Sequence, residues 1–433
     1  DAPATHKLAV LTSGGDSAGM NAAVRSVVRA ALTAGIEVFV VEEGLQGLID
    51  GGEKIRSATS ADVSGILQLG GTVLGTARSQ DFRTREGRQR AAKNLAERGI
   101  DALIVVGGDG SLTGADVFRT EWPDHLDELV AAGELTNEQV APIRNLSLAG
   151  LVGSIDNDMF GTDMTIGTDT ALHRITEAID AIQSTASSHQ RTFIIEVMGR
   201  RCGYLALMSA LSAGANFVLL PENPPRDGWE DAMCEVLGGG RNIGRRASVV
   251  IVAEGACDRH GSPISSEYVR DMLVHRLGED VRVTILGHVQ RGGAPSSFDR
   301  YLGTVLGHAA VDEVIRSPGG EPQLIGIRGH QVVRSPLMEC VAATRDVAEA
   351  IKDNDVERAM TLRGGSFSDS YRVLKTLVRA QPRKVEDEVR SLRLMVLHGG
   401  GPAPGMNTAV RVALRMTMDR GHTLVAAHNG CKG

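Results

Sequence analysis

Residues 7–12 form an apolar run that breaks at Ser13-Gly14-Gly15-Asp16, after which apolar residues recur at helical spacing from about 19 to 34 and stop at Gly35. A second apolar run follows at 37–41. Strand, glycine turn, helix and strand make a βαβ unit, and a chain of such units is restricted to parallel sheets covered by helices. The pattern recurs: 101–106 reads as a strand entering Gly107-Gly108-Asp109-Gly110-Ser111, and 148–152 as a strand leading to Ser154-Ile155-Asp156-Asn157-Asp158. Residues 171–184 read as a helix, and 193–197 and 249–253 as further strands. The expected class is α/β, with Rossmann-like three-layer parallel sheets and flanking helices. Ligands of such sheets bind beyond the carboxyl ends of the strands, where the glycine turns fall. Residues 121–145 are polar and helix-prone, and read as a surface insertion between two core strands.

The chain also repeats itself. Residues 8–47 align without gaps on 394–433 at a constant offset of 386, with 15 of 40 positions identical, including the Gly14/Gly400, Gly19/Gly405, Asn21/Asn407 and Arg25/Arg411 pairs. That is a duplicated domain whose second copy stops after one βαβ unit, as expected of the front of a longer tandem protein. A boundary is expected near 380–390, where Gln381-Pro382-Arg383-Lys384 interrupts the apolar pattern. A chain of 433 residues is long enough for about two to four domains. It begins Asp1-Ala2-Pro3 without methionine, which reads as a processed chain or a fragment.

Composition narrows the partners. The net charge is −7, with basic residues dispersed, and aromatics are only 3%, so neither a basic stripe nor stacking platforms for nucleic acid are expected. No apolar run approaches the ~20 residues of a membrane span, and the polar N-terminus is not a secretory signal. Five scattered cysteines without zinc spacing fit a reducing cytosol.

Four features carry chemistry. Ser13-Gly14-Gly15-Asp16 sits where a helix start offers N–H groups to phosphate, though a tight turn without ligand would look the same. It is not a P-loop, because G-x-x-x-x-G-K-[ST] is nowhere in the chain. Asp109 stands at the mouth of a Gly-Gly turn, suited to magnesium, which takes one or two carboxylates with phosphate oxygens and water; alternatively it caps the next helix. Asp156 and Asp158 follow a strand, one placed to take a proton from a hydroxyl and the other to orient metal or water, or both belong to an Asx-rich turn. Arg191, Arg200, Arg201, Arg282 and the glycine-flanked His288-Val289-Gln290-Arg291 supply planar donors for an anion, against the plain alternative of solubility. None of the 12 histidines lies in H-E-x-x-H, so a zinc hydrolase is unsupported.

Thr12-Ser13-Gly14-Gly15-Asp16 with Gly19-Met20-Asn21, Gly107-Gly108-Asp109-Gly110-Ser111, Gly153-Ser154-Ile155-Asp156-Asn157-Asp158, Met198-Gly199-Arg200 and Gly287-His288-Val289-Gln290-Arg291-Gly292-Gly293 jointly resemble the 6-phosphofructokinase family over residues 7–380. The 121–145 stretch, Ser188-His189-Gln190-Arg191-Thr192 and the partial second copy are similar to the eukaryotic tandem form, with a catalytic N-terminal half and an effector-binding C-terminal half. The resemblance implies two α/β subdomains in a catalytic half at 1–380, a linker at 381–392 and the start of a regulatory half at 393–433. It implies a cytoplasmic, allosterically regulated glycolytic enzyme that phosphorylates fructose 6-phosphate with MgATP. Gly15, Arg78, Ser79, Gly108, Asp109, Gly110 and Ser111 would hold ATP, and Asp109 the Mg2+. Asp156 would be the general base, assisted by Ser154 and Asp158, with Arg200 on the transferring phosphoryl. Ser154, Ile155, Met198, Gly199 and Glu254 would hold the sugar, and Arg191, Arg282 and His288-Val289-Gln290-Arg291 its 6-phosphate. Arg191 and Arg282 would enter from a neighbouring subunit, which implies a homo-oligomer, a tetramer. Gly110 and Gly153 stand where pyrophosphate-using relatives carry aspartate and lysine, which favours ATP.

Three other readings stand against this one. A lipid or NAD kinase shares the Gly-Gly-Asp-Gly turn but lacks the Ser154–Asp158 loop. A non-catalytic regulatory subunit would be expected to lose Asp109 or Asp156, and both are here. A truncated, inactive member of the family is the third.

Overall fold

The computed structural model describes residues 7–189, 191–242, 244–378 and 391–432. Its strands are β1 (Lys7–Ser13), β2 (Glu37–Val41), β3 (Ile55–Ser57), β4 (Ala102–Gly107), β5 (Ser147–Val152), β6 (Thr192–Val197), β7 (Phe217–Leu219), β8 (Ser248–Ala253), β9 (Val281–Ile285), β10 (Gln323–Arg328), β11 (Gln331–Pro336), β12 (Arg393–Val396) and β13 (Thr423–Ala426). They divide between two compact units, residues 1–175 with 286–353 and residues 176–285 with 354–433.

The first unit holds a seven-stranded sheet in the order β11-β10-β5-β4-β1-β2-β3. Alternation along each strand feeds two cores. Ala9, Leu11, Leu103 and Val105 pack on one face, and Leu8, Val10, Ile104 and Val106 on the other. Strands buried on both faces read as continuous apolar runs, and each fully buried Val or Leu contributes about 1.5–3 kcal/mol.

The sheet is mixed, whereas a parallel one was expected. β3 runs antiparallel to β2 and β11 to β10. β10 and β11 are joined by only Gly329 and His330, both at positive φ (53° and 66°). A two-residue connection can only return the chain antiparallel. Residues 121–145 also depart from the expected surface insertion. The helix Asp109–Ala131 runs on through Pro123, and Trp122, His125 and Leu126 are fully buried, with Trp122 Nε1 donating to Ile143 O at 2.8 Å. Polar composition hid an apolar stripe carrying the largest buried side chain of the unit.

The second unit contains a parallel sheet in the order β7-β8-β6-β9, with a core around Ile194, Trp229, Met233, Val250 and Leu273. It also contains the repeat. β12 pairs parallel with β13 in the register Arg393↔Thr423, which is Lys7↔Glu37 shifted by 386, and the helix Met406–Asp419 is Met20–Thr33 shifted equally. The expected linker at 381–392 lies outside the described residues up to Arg390.

Candidate active site

Ser13, Gly107 and Val152 are Cα partners across β1, β4 and β5. Three strands therefore end level, and the three turns singled out in the sequence lie side by side at the carboxyl edge of the first sheet. Ser111 Oγ donates to Ser13 Oγ at 2.9 Å in a buried contact, tying the first turn to the second. Gly14 takes φ +88, and a Cβ on Gly107 would lie 2.6 Å from Ser13 O, so both positions require glycine.

Asp109 is half-buried as the first residue of the helix Asp109–Ala131, and its Oδ1 accepts from Thr113 Oγ1 at 3.1 Å. A Cβ on Gly108 or Gly110 would meet nothing within 4 Å. A carboxylate beside an open backbone cradle at a helix N-terminus fits Mg2+ held jointly with nucleotide phosphate. Gly153 differs from Gly110: a Cβ there would lie 2.5 Å from Met20 Cε, so a side chain would have to displace the end of Met20. Arg78 is exposed, and Ser79 Oγ caps the next turn by accepting the Phe82 N–H at 3.1 Å.

In the third turn Asp156 is buried, at 3% exposure. Its N–H donates to Ser154 Oγ at 3.2 Å, and that hydroxyl lies 3.4 Å from Asp158 Oδ1. Asn157 takes φ +51, which Asn tolerates, and its side chain bridges to Asp163 O and the Thr165 N–H. The Thr165 hydroxyl donates to Ser154 O at 2.6 Å, and Thr168 Oγ1 lies 3.2 Å from the carbonyl oxygens of Ser154 and Ile155.

His288 and Val289 are exposed on a short 3-10 turn, Gln290 is buried and donates to Gly287 O at 2.9 Å, and Arg291 turns back on the first loop. Arg291 Nη1 donates to Asp16 O at 3.2 Å, and a Cβ on Gly15 would lie 2.9 Å from it. A residue expected at the sugar phosphate thus packs on the turn expected at the nucleotide.

The second unit carries the remaining expected residues. Glu254 Oε2 accepts the N–H groups of Gly199 and Arg200 at 3.2 and 3.0 Å. Gly199 has φ +143 and Arg200 φ +51, a left-handed conformation that is costly for arginine and that the carboxylate holds in place. Met198 is half-buried and Arg200 exposed. Arg191 and Arg282 both bond Asp280, at 2.5 and 3.1 Å.

Sequence reasoning missed the supports. Asp280 orders two arginines; fully buried Glu222 accepts the Gly203 N–H and Arg363 Nε at 2.9 and 2.8 Å, and Arg363 Nη2 donates to Arg201 O at 3.2 Å. Asp299 was missed as well. Its only local signal is Ser296-x-x-Asp299, which reads as a helix cap.

Fold and site define an α/β protein with glycine turns and carboxylates gathered at the carboxyl edge of a sheet. The family described as Phosphofructokinase matches residues 7–314 and 393–433, and the chain belongs to that family. It is 54% identical over 98% of its length to the liver-type ATP-dependent 6-phosphofructokinase of Pongo abelii, and 55% identical to the muscle type of Oryctolagus cuniculus. It covers 54% of each, and so spans about half the length of these relatives. Its structure is similar to phosphofructokinase from Saccharomyces cerevisiae, with TM-score 0.94, 48% identity, and coverage of 99% of this chain and 57% of that one. Among the described residues no helix is long and apolar enough to cross a membrane.

Proposed function

We propose that this chain is the catalytic half of a cytoplasmic ATP-dependent 6-phosphofructokinase, transferring the γ-phosphoryl of MgATP to the 1-hydroxyl of fructose 6-phosphate. The observation that carries the reading is the buried Asp156, its N–H held by Ser154 Oγ and the preceding Ser154–Ile155 carbonyls by Thr165 and Thr168, on a turn level with the Asp109 turn. In this reading the Asp156 carboxylate takes the proton of the 1-hydroxyl. The oxygen forms a bond to the γ-phosphorus as the bond to the β-phosphate oxygen breaks, giving fructose 1,6-bisphosphate and ADP. Gly15, Arg78, Ser79, Gly108, Gly110 and Ser111 hold the nucleotide. Asp109 would hold the Mg2+, which neutralises charge on the phosphate oxygens. Arg200 meets charge that develops on the transferring group, and Ser154 and Asp158 keep Asp156 oriented.

Ile155, Met198, Gly199 and Glu254 are assigned to the sugar. Arg191, Arg282, His288, Val289, Gln290 and Arg291 are assigned to the 6-phosphate, with Arg191 and Arg282 serving a neighbouring subunit of a homotetramer. Residues 1–380 form the catalytic half, 381–392 the linker and 393–433 the start of a regulatory half.

The test is ATP-dependent formation of fructose 1,6-bisphosphate by wild type and Asp156→Ala. Removing a positioned base lowers kcat by about 10²–10⁴-fold. An unchanged rate removes Asp156 from the mechanism.

A further inference from the structure

Ser296 Oγ accepts the Asp299 N–H at 3.2 Å, starting the helix Ser297–Arg316 in the usual way. In a capping box the acidic side chain returns to the backbone N–H of the capping residue. Here the Ser296 N–H donates to Thr170 Oγ1 at 2.9 Å, and the Asp299 carboxylate turns to the start of a second helix, Thr168–His189. Asp299 Oδ1 accepts the Gly167 N–H at 2.8 Å. Its Oδ2 accepts the Thr170 N–H at 2.8 Å and the Thr170 hydroxyl at 2.6 Å. The residue is fully buried, and a Cβ on Gly19 would lie 3.2 Å from its own Cβ, so the start of the helix Met20–Thr33 approaches it closely only because Gly19 has no side chain. Thr168 stands at the helix start that Asp299 pins and Thr165 three residues before it; their hydroxyls lie 2.7 Å apart and hold the Ser154 and Ile155 carbonyls. Asp156 follows directly. All of these residues belong to the first unit.

We propose that Asp299 is a positioning residue for phosphoryl transfer: it locks the start of the helix Thr168–His189, so that Thr165 and Thr168 fix the Ser154–Ile155 backbone and thereby the place of the Asp156 carboxylate. The proposal rests on the reading of Asp156 as the base. Burial pushes the Asp299 carboxyl up to about 6, its three donors pull it down, and Asp169, the charged group acting from the facing helix, raises it. Gly19 faces it from the start of Met20–Thr33, and on its own helix Arg300 donates to Pro295 O. Protonation puts a hydrogen where a donor already sits, so part of the clamp is lost as pH falls through about 6.

The experiment compares the full chain with Asp299→Asn, Thr168→Val and Asp156→Ala. Steady-state kinetics with MgATP and fructose 6-phosphate are taken from pH 5 to 8, with amide hydrogen exchange alongside. Asp299→Asn and Thr168→Val are expected to lower kcat about 10–100-fold, the scale of an ångström-size misplacement, with KM changed less than threefold. The acid limb of kcat near pH 6 disappears in Asp299→Asn, and the Ser154 and Asp156 amides exchange faster in both variants while β1 and β2 do not. Wild-type kcat in Asp299→Asn overturns the proposal, as does unchanged exchange at Ser154 and Asp156. A loss that only follows a lowered Tm, with Thr168→Val unaffected, also overturns it. Full activity in Asp156→Ala sinks the reading of the base, whereas an inactive Asp156→Ala beside an unaffected Asp299→Asn sinks this proposal alone. Exchange decides the clamp even where no turnover is seen.

Discussion

At the residue scale, Asp299 sets stability against function. Its carboxyl titrates at about 6 in the folded chain against an ordinary 3.8. Between those values the folded state keeps a proton that the unfolded state has released, so stability falls as pH rises from 3.8 to about 6 and is level above. Two pH units correspond to about 3 kcal/mol. Asp299→Asn abolishes this titration and leaves the other carboxylates in place. The stability of wild type minus that of Asp299→Asn, from urea unfolding, is therefore expected to be about 2 kcal/mol greater at pH 4 than at pH 7. A difference that does not change with pH excludes an ionising Asp299. The charged form that costs stability is the form that accepts all three donors, a conflict common at working sites.

At the element scale, the helices Met20–Thr33 and Ser297–Arg316 meet through glycine. A Cβ on Gly303 would lie 2.7 Å from Gly19 O, and one on Gly307 2.7 Å from Ala23 O, while Ser26 Oγ donates to Thr304 O at 2.6 Å across the same contact. Gly307→Val must push the two backbones apart, which costs about 1–3 kcal/mol. Because the first helix starts at the glycine turn and the second at Asp299, the variant is also expected to raise KM for ATP. Urea unfolding and nucleotide titration check the two effects, and an unchanged stability would mean that the helices are not in contact at Gly307. The helix Asp109–Ala131 shows the opposite compromise: Pro123 removes one internal N–H, and burial of Trp122, Leu126 and Leu129 carries the helix through.

At the scale of the whole molecule, the repeat packs within the second unit at a cost in charge. Arg411 lies against Gly214, where a Cβ would be 3.1 Å from its Nη2. Burial and the positive charges of Arg415, Arg241 and Arg411 hold the Arg245 guanidinium below its usual range, and burial and Arg415 do the same to Arg411. Both stay charged at any working pH, so the repulsion is permanent. Arg411→Leu is expected to raise Tm by about 1–2 °C at low salt, with a smaller gain at high salt; calorimetry at two ionic strengths decides it, and a lowered Tm would show that the repulsion is already compensated.

The two copies also separate what sequence determines from what tertiary structure decides. Their local structure is common: the same parallel register, the same helix length, and φ of 113° and 94° at Gly19 and Gly405. Backbone sterics and neighbouring residues suffice for that, and they also made the Asp109 and Asp156 turns readable. Burial is not common: Leu8 is 0% exposed and its counterpart Leu394 40%. β1 lies between β4 and β2 with helices on both faces, whereas β12 pairs with β13 alone among the described residues. The supports of the candidate site were hidden for the same reason. Asp299 bonds residues about 130 positions away, and Asp280 bonds Arg191 across 89. A short window of sequence encodes a turn, but which carboxylate braces it depends on which distant segments the packed sheet brings alongside.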